Sequence, residues 1–127
     1  NEANGDYSYA MGSFTRATGE YSTSMGIRTT AQAYGSLSMG QYNDSIISSS
    51  TTTWVNTDPL FIVGNGTANN SRNNALTMLK NGNTGIGVTN PSNKLEVAGK
   101  TVTSNFQMTN DSNLACYDTV FSNRSRT

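Results

Sequence analysis

The sequence predicts an all-β protein wound as a narrow β-solenoid, and three observations predict it. A 14-residue period recurs: "SYAMGSF", "STSMGIR" and "SLSMGQY" place Met-Gly pairs at Met11-Gly12, Met25-Gly26 and Met39-Gly40. Glycine also marks the half period, at Gly5, Gly12, Gly19 and Gly26, before the series skips Ala33 and resumes at Gly40. Finally, the chain is polar without being charged. Of its 127 residues 34% are hydrophobic and 13% charged, eight basic against eight acidic. A disordered segment this polar ordinarily carries a large net charge, whereas Ser, Thr, Asn and Gly in bulk are the residues of turns and tightly wound β structure.

A helix fails the same test. Glycine at every seventh position costs about 1 kcal/mol each relative to alanine, and no apolar heptad offsets that. A strand–turn–strand–turn coil fits, with Gly5, Gly12, Gly19, Gly26 and Gly40 at the repeat turns, where φ is positive or a side chain has no room. Successive coils then stack roughly 4.8 Å apart. Strand alternation assigns the faces. Ser8 and Ala10, then Ser22 and Ser24, then Ser36 and Ser38, form a row small enough for the interior. Met11, Met25 and Met39, with Leu37, form an apolar stripe outside and are the expected interface between chains. The reverse assignment, methionine as ordinary core, is the alternative. Either way, coils this narrow bury too little to stand alone, so the chain is expected to oligomerise.

Residues 7–43, "YSYAMGSFTRATGEYSTSMGIRTTAQAYGSLSMGQYN", resemble the head repeats of YadA-type trimeric adhesins. The family's S-x-A-x-G and T-x-A-x-G alternation is matched by Ser8-Tyr9-Ala10-Met11-Gly12 and Thr15-Arg16-Ala17-Thr18-Gly19. The resemblance implies a left-handed parallel β-roll assembled as an intertwined homotrimer. One departure, "AQAYGS", puts Ala33 where glycine is expected and Gly35 two residues later, which predicts a bulge or distorted corner in the last coil.

The periodicity stops after Asn43, and the reading divides the chain there. Residues 1–43 are the β-roll repeats and 44–57, including "DSIISSSTTTW", a polar connector. Consecutive threonines alternate between faces, so this run does not build a flat water-ordering array. Residues 58–100 read as a module of short β-hairpins: an apolar strand Leu60–Val63, a strand through Leu76 and Met78, a turn at Asn81-Gly82, a return through Ile86 and Val88, and a strand at Leu95 and Val97. Its "DPLF", "KNGN", "GIG", "NP" and "KLEV" elements are similar to a module common in bacterial surface proteins and phage tail fibres. Residues 101–127 are a C-terminal segment, read as the start of a further fibre element, with Leu114, Tyr117 and Phe121 at helical spacing after a cap at Ser112.

Little in the sequence points to chemistry. The chain has no histidine, which removes the usual general base and zinc ligand, and its one cysteine, Cys116, cannot build a thiolate site. Glu2, Asp6, Glu20, Asp44, Asp58, Glu96, Asp111 and Asp118 lie far apart in sequence. "GNGT" and "GIGV" do not continue into a G-x-G-x-x-G phosphate turn. No catalytic residue, metal or cofactor is assigned. Zero net charge argues against nucleic acid as a partner, and no apolar run reaches the roughly 20 residues that cross a bilayer. With no initiator methionine and no leader, the reading expects a piece of a longer polypeptide.

The expected function is a structural and adhesive segment of a homotrimeric extracellular fibre, at a cell or virion surface. It would project or present a surface for a host glycan or protein receptor, with Tyr9, Phe14, Tyr21 and Tyr34 as contact residues or as lateral packing on the roll. The alternatives are a receptor-binding tail fibre of a phage or contractile injection system and, more remotely, a glycan-cleaving spike.

Overall fold

The computed structural model describes residues 1–107, and these are all-β, with no helix among them. The expected helical turn at Leu114, Tyr117 and Phe121, and Cys116, lie outside the described residues.

Each coil holds one long and one short strand. The short strands β1 (Glu2–Ala3), β3 (Arg16–Ala17) and β5 (Thr30–Ala31) stack in parallel as one sheet. The long strands β2 (Tyr9–Ser13), β4 (Thr23–Ile27) and β6 (Leu37–Gln41) stack in parallel as another. Met11 pairs with Met25 and Arg16 with Thr30, so the sequence period is the coil length.

Between the two sheets lies a thin interior. Thr15, Ala17, Ser22, Ser24, Thr29, Ala31, Ser36 and Ser38 are buried, as the small-residue row predicts. Polar atoms confined there must find partners. Across the second coil the Ser24 and Thr29 hydroxyls bond at 2.8 Å. In the first coil Ala10 stands where Ser24 does, and the buried Thr15 hydroxyl has no partner. Ala10→Ser supplies that partner and is expected to raise stability by about 1 kcal/mol, read from a urea midpoint.

Gly5 and Gly19 open turns, closed by the Ser8 and Ser22 N–H groups on their carbonyls, whereas Gly12, Gly26 and Gly40 lie inside the long strands. Left-handed backbone is adopted by Tyr7, Tyr21 and Gly35, and at the opposite corner by Phe14, Arg28 and Tyr42. Gly35 is therefore in register with the two tyrosines, 14 residues apart. The bulge expected at "AQAYGS" does not form: no register shift interrupts the pairing of β4 with β6. Ala33 is accommodated because it follows Gly5 and Gly19 in its row. A Cβ at either of those two would lie within 3 Å of the next coil's backbone, whereas Ala33 is the row's last member.

Asparagine closes the short-strand sheet. Asn43, fully buried, accepts from the Thr30 N–H at 2.8 Å and donates to its carbonyl at 2.9 Å, replacing the next strand. Asn74 does the same one level on, to the N–H and carbonyl of Asp44. Asn43→Ala strands two inner backbone groups and is expected to cost about 2–4 kcal/mol, visible as a lowered denaturant midpoint.

The long-strand sheet continues where the periodicity ends. β7 (Pro59–Asn65) adds to β6 in parallel, Met39 against Val63 and Gly40 against Gly64. The step from Leu37 to its partner Phe61 is 24 residues rather than 14. The additional length loops over the coil edge, held by bonds from Glu20 N–H to Thr51, Tyr34 N–H to Ser50 and Ser50 N–H to Asp58. Then β8 (Asn74–Leu79) and β9 (Thr84–Ile86) return antiparallel. β10 (Leu95–Val97) closes the order β10-β9-β8-β7-β6-β4-β2. The expected hairpin at Asn81-Gly82 forms, but with three loop residues. Leu79 N–H bonds Asn83, and Gly82 at φ +88 closes the turn. Contrary to a pure hairpin module, β10 runs parallel to β9. The intervening turn lets the Glu96 carboxylate accept from the Ser92 and Asn93 N–H groups and the Ser92 hydroxyl. These bonds hold its pKa below the usual 4.5, so their contribution is present above that pH and fades in acid.

Candidate functional site

Seven strands in one sheet carry the outward residues into two long rows. One row reads Tyr9, Thr23, Leu37, Phe61, Met78, Thr84, Leu95; the other reads Met11, Met25, Met39, Val63, Leu76, Ile86, Val97. The inner face has Ser24, Ser38, Ile62 and Thr77 between them, all buried. Two of the fourteen outward positions are threonine and the rest are aromatic or aliphatic. Met11 is 52% exposed, Ile86 47% and Leu95 63%. Continuous apolar surface of this kind marks an interaction site.

Met11, Met25, Met39 and Leu37 thus share one face, pointing away from the coil interior. Methionine is not the core of the coil. The sequence reading missed the continuation into β7–β10. Its signal was present, since "SMGQ" at 38–41 is echoed by "IVGN" at 62–65, but the 24-residue step hides the echo from a search at period 14.

The candidate contact residues separate into three places. Tyr9 belongs to the apolar face. Tyr21 stacks on Tyr7 with ring centroids 5.3 Å apart and meets Tyr34 edge-on at 5.4 Å, so both tyrosines take part in lateral packing between coils. Tyr34 is continued by Lys80, whose Nζ lies 5.7 Å from that ring and 4.7 Å from Trp54. Burial there pushes the Lys80 pKa down, against the opposing pull of Asp58. Phe14 occupies the other corner beneath the Arg28 guanidinium, 4.5 Å from its carbon.

Among the described residues no three acidic, histidine or cysteine side chains gather in a way that holds a metal ion. No helix of the described residues is long and apolar enough to cross a membrane.

The coil geometry defines a class: a narrow parallel β-roll with fourteen-residue coils and one apolar face. Comparison with known proteins relates its first third to a known repeat. Two copies of the YadA head domain repeat match residues 3–29 and 17–43, so that about the first third of the chain is similar to that repeat. No curated protein and no solved structure matches the chain.

Proposed function

We propose that this chain is a structural and adhesive segment of a homotrimeric extracellular fibre, in which copies pack through the outer face of the seven-stranded sheet. The observation that carries this reading is the pair of apolar rows running from Tyr9 to Leu95 and from Met11 to Val97. YadA head repeats are adhesive structural units that assemble in threes, and the likeness of residues 3–43 to them supports a threefold stoichiometry. Side by side, three such faces bury one another, while backbone ladders run along the fibre and resist extension. The opposite sheet and both corners stay accessible, and threefold repetition turns weak contacts to a host surface into avidity.

Cross-linking tests the packing. Met39→Cys in a Cys116→Ser background is expected to form interchain disulfides and, with a trifunctional maleimide, covalent trimers. Gln32→Cys, on the opposite side of the coil, is expected to give neither. Equal cross-linking of the two would contradict the assignment of this face.

A further inference from the structure

On the side of the roll away from the apolar face, the structure forms a groove. It is a cavity of about 300 Å³ lined by Glu2, Phe14, Arg16, Arg28, Asn69 and Arg72, among others. Three guanidinium groups and one carboxylate meet there. Arg16 Nε pairs with Glu2 at 2.8 Å, which is the one ion pair among the described residues. Arg72 is fixed by the backbone: Nη1 donates to the Arg28 and Asn43 carbonyls, both at 3.0 Å, and Nη2 to Asn69 Oδ1 at 3.0 Å. It ties the loop after β7 over the coil corner and so builds one wall. Among the described residues no carboxylate pairs with Arg28. Its left-handed backbone at φ +50 aims the side chain over Phe14, which holds the guanidinium plane in position.

The groove therefore has an excess of positive charge and donor groups already ordered. Guanidinium forks match the planar carboxylate and the sulfate ester, and ordering them before binding removes part of the entropic cost. The volume is at the small end for ligand sites, suited to a sugar unit rather than a folded partner. Asn69 and Thr30 add polar atoms suited to hydroxyls. We propose that this groove binds an acidic saccharide unit, with Arg28 and Arg72 facing its anionic group. The inference deepens the adhesive reading, and rests on it for the saccharide's place on a host surface.

The test uses the full chain titrated with labelled oligogalacturonate, a heparin-derived oligosaccharide of similar length and a neutral cello-oligosaccharide, with sodium sulfate as competitor. The acidic sugars are expected to bind and to weaken as salt rises, the better of the two showing whether carboxylate or sulfate is preferred. Arg28→Gln is expected to weaken binding about tenfold, and Glu2→Gln, which removes the one carboxylate that lines the groove among the described residues, to tighten it several-fold. Neutral sugar binding equally well, indifference to both substitutions, or sulfate displacing the saccharide at equal concentration would overturn the proposal. The mass of the same sample is read separately, so that loss of assembly is distinguished from loss of the ligand site.

Discussion

Gly26→Ala is expected to abolish the coil stack, with loss of at least about 4 kcal/mol and of the β signal in circular dichroism. A Cβ built at Gly26 lies 2.0 Å from the Gly40 carbonyl oxygen, and φ there is +117. Neither partner is a side chain that can turn aside. Moving the strand would break the pairings of β4 with β2 and β6 together, because Gly12 approaches Gly26 and Gly40 approaches Gly64 just as closely. The control is Gly35→Asn. Gly35 also has positive φ, +63, but nothing lies within 4 Å of its Cβ position, and Tyr7 and Tyr21 adopt the same backbone in the earlier coils. Its expected cost is under about 1 kcal/mol. If Gly26→Ala unfolds at the same denaturant concentration as Gly35→Asn, close coil stacking is not what requires the glycine.

The second large effect is on assembly. Val63 sits in the middle of the apolar face, between Met39 on β6 and Leu76 on β8. Val63→Asp would bury a carboxylate without a partner in every copy, at about 3–5 kcal/mol each, and is expected to dissociate the complex at micromolar concentration. Ile47→Asp removes an equally apolar side chain that is 85% exposed but lies outside the sheet. It should leave the mass unchanged. Light scattering of both variants beside the parent chain reads the difference, and a Val63→Asp protein with the parent's mass would move the interface elsewhere.

What the sequence disclosed follows from how local each feature is. The coil length, the small interior row and the outward methionines were legible because in-register parallel stacking repeats each choice every 14 residues. Ser22, Ser24, Ser36 and Ser38 are buried for that reason. The left-handed corners were not legible, since Tyr7, Phe14, Tyr21 and Arg28 are residues that rarely adopt positive φ. They tolerate it here with stacking across coils, Tyr7 on Tyr21 and Arg28 on Phe14. Nor were the caps. Asn43 and Asn74 act through both ends of one side-chain amide on backbone far away in sequence, which no spacing rule announces. The arginine groove escaped for a similar reason, because Arg72 reaches the carbonyl of Arg28 across 44 positions.

The assembly expectation rests on one premise, that the open sheet face is closed by identical chains. Sedimentation equilibrium of the purified chain over micromolar concentrations tests it most directly. The predicted result is a single species near three times 13.6 kDa. A species that stays folded at 13.6 kDa across that range would contradict it.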